Sequence, residues 1–183
     1  SFNALVNPGD EIIVISPFFP EYKVFIEKSG AKLVITESNQ ETFMPDIDEI
    51  EKCINKNTKA LLINYPNNPT GVMIDEESLK ALCKLLKEKE IEYNHPIYLI
   101  SDEPYRELLY NNKPYLFVTN YYDNSLVCYS FSKSLSLPGE RIGYILVNPR
   151  CVNAEEVYFA VCGAGRSLGF VCAPALFQYM IPN

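Results

Sequence analysis

The chain has 183 residues, 48% of them hydrophobic and 21% charged, with a formal net charge of −7. That length supports one sizeable domain with a real core, and the acidic balance argues against nucleic acid or an anionic membrane as a partner. No apolar run nears the roughly 20 residues that span a bilayer, the first residues show no basic-then-apolar leader, and the six cysteines form no C-x-x-C pair, so the sequence reads as a soluble, cytoplasmic protein with reduced thiols.

Residues Ser1 to Val6 read as the last turns of an amphipathic helix, stopped by Asn7, Pro8, Gly9 and Asp10 ahead of a strand. The chain is therefore expected to begin inside an element and to be a fragment. Short β-branched runs predict strands at Glu11–Ile15, Lys32–Thr36, Ala60–Ile63, Ile97–Ile100, Leu126–Tyr129 and Tyr144–Val147. Helices are predicted between them. One runs from Pro20 to Ser29 and ends at Gly30, and another from Asp46 to Asn55 puts Ile47, Ile50 and Ile54 on one face. The clearest runs from Asp75 to Lys89, with Leu79, Leu82, Leu85 and Leu86 as its buried stripe, acidic residues in the first turn and lysines toward the end. A last helical pattern, Ala173 to Met180, stops at Pro182 and Asn183. This alternation predicts an α/β fold, a three-layer α/β/α sandwich around a mostly parallel sheet. Ligands on such sheets bind at the carboxyl ends of the strands.

Four groups fall just after predicted strands. The stretch Ser130 to Tyr144 sets Lys133 among hydroxyls, with Ser130 three residues before it and Arg141 eight after. A lysine amine can form an imine with the aldehyde of pyridoxal phosphate, while a hydroxyl and a guanidinium can hold its phosphate. Asn64 to Gly71 is a turn stiffened by Pro66 and Pro69. Asp102 follows the fourth strand, and Tyr105 lies three residues on. Taken singly these read as an Asn/Pro turn, a helix cap, a half-buried aromatic and a surface lysine. The weight lies in their joint occurrence.

Together they resemble the fold-type I, class I/II pyridoxal-phosphate-dependent aminotransferases, over essentially the whole chain. The resemblance implies that residues 1–183 form a single cofactor-binding large domain, truncated at both ends. It implies that Lys133 carries the cofactor as an aldimine and then moves a proton at the substrate's α-carbon. Asp102 would pair with the pyridinium nitrogen, and Asn68 and Tyr105 would bond the ring oxygen. Phe19, in the segment Ser16 to Tyr22, would stack on the ring, with less area than the larger aromatics common there. Ser130 and Arg141 would hold the phosphate, with Ser132 second in rank. Cis peptide bonds are expected before Pro17 and Pro69. His95, the lone histidine, precedes Pro96 in a loop and reads as a bystander, which argues against a metal site or a histidine triad. Arg166, in the segment Gly163 to Phe170 that resembles a stretch near the subunit interface, is given no role.

The implied function is amino-group transfer from an amino acid to a 2-oxo acid, with aspartate or broad specificity, by a homodimer. The family's glycine-rich phosphate loop, N-terminal closing segment and small domain are not matched within these residues. The chain alone is therefore expected to bind cofactor weakly and turn over poorly. A carbon–sulfur β-lyase shares the same lysine, aspartate and asparagine. The same residues also suit an aminotransferase-like sensing domain of a transcription regulator, preceded by a winged DNA-binding domain, or a scaffold without activity.

Overall fold

The apolar runs become the strands of one six-stranded sheet in the computed structural model, which describes residues 1–110 and 114–181. The strands are β1 (Glu11–Ser16), β2 (Lys32–Glu37), β3 (Thr58–Asn64), β4 (Tyr98–Asp102), β5 (Ser125–Ser130) and β6 (Gly143–Val147). They lie in the order β2-β1-β3-β4-β5-β6. The first four adjacent pairs in that order are parallel, and β6 runs antiparallel to β5.

The described residues form seven α-helical segments: α1 (Phe2–Leu5), α2 (Glu21–Lys28), α3 (Ile47–Cys53), α4 (Glu76–Tyr93), α5 (Phe131–Ser134), α6 (Ala154–Ser167) and α7 (Ala175–Met180). Side chains alternate across the central strands, so each face has its own core. Ile13, Leu61, Ile63, Leu99 and Val127 pack with Ile50 of α3 and the leucines of α4. Ile12, Val14, Leu62, Ile100 and Leu126 pack with Leu5 of α1, Ile26 of α2 and Val157 of α6. This is the expected three-layer sandwich. Strands β1, β3 and β4 read as nearly continuous apolar runs because both of their faces are covered.

The stripe Leu79, Leu82, Leu85 and Leu86 of α4 is buried as the spacing predicts, each leucine contributing about 1.5–3 kcal/mol. Asp75 caps α4 by accepting from Ser78 N at 2.7 Å, and Asp46 caps α3 by accepting from Glu49 N at 3.1 Å. Helix α4 runs four residues beyond the predicted Lys89, because Glu90 to Tyr93 sustain it until Asn94 turns left-handed at φ 56°. The opening helix is a single turn, and the last begins at Ala175; its expected stop at Pro182 and Asn183 lies outside the described residues. Helix α6 was not expected from the sequence. Gly163 and Gly165 depress its propensity, and Tyr158 and Phe159 are exposed on it, so no clean buried stripe marks it.

Two peptide bonds expected to be cis, before Pro17 and Pro69, are cis, and so is a third before Pro66. All six cysteines are free thiols. His95 sits between the end of α4 and β4, its ring nitrogens near the carbonyls of Pro96 and Lys56 at 3.1 Å each. It precedes the start of β4, whereas Asp102 closes that strand, and its contacts serve the loop. Among the described residues no helix is long and apolar enough to cross a membrane.

Candidate active site

Parallel β3 and β4 pair Asn64 with Asp102, and β4 and β5 pair Asp102 with Cys128, so the carboxyl ends of three strands meet at Asp102. The side chain of Asp102 is partly buried and accepts a hydrogen bond from the Tyr22 hydroxyl at 2.5 Å. Burial holds the Asp102 carboxyl above the usual carboxylate range, and the Tyr22 bond opposes part of that rise. The Tyr22 phenol is raised in turn by burial and by the neighbouring carboxylate.

From Asp102 the contacts run outward in both directions. Phe19 meets the Tyr22 ring edge-on at 5.6 Å between centroids. On the other side Asn64 donates to the Asp102 carbonyl at 2.8 Å and accepts from the backbone N–H of Asn68, also at 2.8 Å. Asn68 Nδ2 donates to the Tyr105 hydroxyl at 3.4 Å, and Lys133 Nζ lies 5.7 Å from the Tyr105 ring centroid. Lys133 is exposed on α5, the short helix that Ser130 caps by accepting from Ser132 N at 3.2 Å.

Ser130 and Arg141 join Asp102 in lining an open cavity of about 630 Å³ between β6 and α6, with Gly143, Tyr158 and Cys162. Arg141 Nη1 donates to the Pro138 carbonyl at 2.9 Å, and its backbone takes the left-handed region at φ 52°, a conformation that costs a non-glycine residue about 1 kcal/mol or more. Gly143 is required where it stands. A Cβ there would lie 2.2 Å from the Tyr129 carbonyl oxygen and 3.1 Å from the Cα of Ser130.

The predicted residues thus fall into two groups that share Asp102. Ser130 and Arg141 line the cavity with it, while Phe19, Asn68, Tyr105 and Lys133 reach it through Tyr22, Asn64 and the turns beside them. Sequence reasoning missed Tyr22 and Asn64. Tyr22 stands three residues past Phe19, one helical turn on, in a segment already singled out for its aromatics. Asn64 is the last residue of its strand, the position from which such sheets address ligands. The donor set suits pyridoxal phosphate: a carboxyl for a ring N–H, an amide and a phenol for a ring oxygen, a hydroxyl and a guanidinium for a phosphate, and an amine for an aldehyde.

The family model for class I and II aminotransferases matches residues 1–164. The chain belongs to that family. A probable N-acetyl-LL-diaminopimelate aminotransferase of Bacillus subtilis is 37% identical over 145 residues, covering 79% of this chain and 35% of the relative. An aspartate aminotransferase of Pyrococcus horikoshii is 36% identical over 173 residues, covering 93% of the chain and 42% of the relative. The crystal structure of an amino transferase from Eubacterium rectale superimposes with a TM-score of 0.96 at 55% identity, over 98% of this chain and 46% of that one. This aminotransferase chain therefore spans less than half the length of these relatives. All three are named as aminotransferases.

Proposed function

We propose that the protein carrying this chain is a pyridoxal-phosphate-dependent aminotransferase, moving an amino group from an amino acid to a 2-oxo acid. The observation that supports it most is the convergence on one sheet edge of a partly buried carboxyl, Asp102, with the connected set Asn68, Tyr105 and Lys133. When bound, pyridoxal phosphate supplies an electron-withdrawing ring that spreads the negative charge left at a substrate's α-carbon.

The chain's own residues then divide the work. Asp102, partly buried and held by Tyr22, would accept the ring N–H and keep that nitrogen protonated. The Asn68 amide and the Tyr105 hydroxyl donate to the ring oxygen. Phe19 gives the ring a flat apolar neighbour. Ser130 and Arg141 hold the phosphate, Arg141 through the part of its fork not bonded to Pro138. Lys133 Nζ would be the nucleophile that holds the cofactor's aldehyde, and its free amine would take the proton from the substrate's α-carbon and return it. Aspartate, or a broad range of amino acids, is the proposed donor, in keeping with the aspartate aminotransferase of Pyrococcus horikoshii. Residues 1–183 act as one cofactor-binding domain of a cytoplasmic homodimer, a setting that the six free thiols and the exposed Tyr158, Phe159 and Phe170 support.

The test is the visible spectrum of the protein with added pyridoxal phosphate, then borohydride reduction and peptide mapping. A single reduced adduct on Lys133 is expected. Label scattered over the exposed lysines, with none favoured, overturns the reading.

A further inference from the structure

We propose that Glu103 and Arg106 form a clamp that positions Tyr105 against Lys133, a role that rests on the aminotransferase reading above. Glu103 follows Asp102 and is wholly buried, yet neither of its carboxylate oxygens has a hydrogen-bond partner of ordinary geometry among the described residues. Buried carboxyls are rarely left so. Arg106 Nη1 lies 3.5 Å from Glu103 Oε2, while the hydroxyls of Ser101 and Tyr115 face the same carboxyl.

Arg106 is held on its other sides as well. Its guanidinium carbon lies 4.0 Å from the centre of the Tyr129 ring and 5.6 Å from that of Phe117, Nη2 donates to the Tyr144 hydroxyl at 2.7 Å, and Nε donates to Glu107 at 2.9 Å. The Tyr129 hydroxyl in turn shares a 2.7 Å hydrogen bond with that of Ser134, the residue after Lys133. One guanidinium therefore touches both the turn that carries Tyr105 and the strand that leads to Lys133. The planar fork is what allows this, stacking with its face while bonding with its edge. Besides the clamp, the described turn is held by the bonds from Glu103 N to the Cys128 carbonyl at 2.8 Å and from Leu108 N to the Tyr105 carbonyl at 2.9 Å, and by the 3.4 Å contact of Asn68 with the Tyr105 hydroxyl, while Glu107, Leu108 and Tyr110 are exposed. Glu103 and Arg106 touch no reacting atom; they act by fixing where the Tyr105 hydroxyl sits.

The experiment is a double-mutant cycle in the protein loaded with pyridoxal phosphate, read as the pH midpoint of the bound cofactor's visible absorbance, with thermal melts of the cofactor-free forms alongside. A hydroxyl donated to the cofactor's ring oxygen stabilises negative charge there, and most strongly once the neighbouring nitrogen has lost its proton. Loosening that hydroxyl raises the midpoint. Arg106→Lys is expected to raise it by about 0.5–1 unit, Glu103→Gln to move it the same way by less, and both shifts to vanish in a Tyr105→Phe background. Shifts that persist undiminished in that background, or melts that fall while the midpoint stays, overturn the clamp. Should Arg106→Lys fail to fold, Glu103→Gln runs the same cycle. A midpoint that answers to Tyr105→Phe but to neither clamp variant leaves the aminotransferase reading standing and removes the clamp. No absorbance band traceable to Lys133 in the unaltered protein removes both.

Discussion

On the β3–β4 side of the candidate site, side chains are wired into the core. Asp102 is held by Tyr22, Asn64 ties the backbones of Asp102 and Asn68 together, and the strands behind them are buried on both faces. On the β5–β6 side, Lys133 and Arg141 are exposed, and β6 has Tyr144, Ile145 and Leu146 exposed along an antiparallel edge. The difference follows from the sheet: parallel strands between two helical layers fix what stands at their ends, and an edge strand does so less firmly. On the proposed reading, the groups that would hold a proton in place lie on the rigid side, and the amine that would move lies on the open one.

Four substitutions break or sharpen that contrast. Lys133→Ala should leave the fold intact, because the side chain is exposed, yet cost turnover roughly 10²–10⁴-fold and remove the borohydride-fixed adduct. A Tm that falls with activity would mean that the open side is structural after all. Asp102→Asn replaces a charge-assisted partner and should cost about 1.5–3 kcal/mol, roughly ten- to a hundredfold in turnover. The same variant has a pH signature. Burial holds Asp102 and Glu103 above the ordinary carboxylate value, so the folded state keeps protons that the unfolded chain releases. Stability of the cofactor-free protein should therefore fall as pH rises from about 4 through their raised values, and Asp102→Asn should flatten that slope in thermal melts. Gly143→Ala pushes a methyl against the Tyr129 carbonyl beside Ser130; a loss of about 1–3 kcal/mol is expected, with weaker cofactor binding in a spectral titration. Asp75→Ala removes the α4 cap, seven residues past Asn68, and should cost about 1 kcal/mol in denaturant melts with cofactor affinity unchanged.

The fold was largely legible in the sequence because its signals are local. A leucine stripe at helical spacing and β-branched runs report burial directly, as Leu79 to Leu86 and Ile12 to Ile15 show. Helix α6 was not legible, since two glycines and exposed aromatics erase its period. At the site, Asp102, Asn68, Tyr105 and Lys133 are singled out jointly, by their places after strands together with the resemblance to a known family, and three of them do connect. Tyr22 could not, because its partner is 80 residues away and nothing near it in the chain states that need. Glu103 was hidden for the opposite reason. A glutamate beside an aspartate at a strand end reads as solvated until the packing shows it fully enclosed.

That separation of 80 residues between Tyr22 and Asp102 also bears on the order of events during folding. The bond joins the helix after β1 to the end of β4, across the intervening crossover through β3, and such long-range closures come late and slowly. On the proposed reading, the ring-binding side is complete only once this bond has closed. Cofactor present during refolding should therefore leave the early phases untouched and draw the equilibrium toward finished molecules by mass action, so that the appearance of cofactor binding in a refolding chain would time the completion of the sheet.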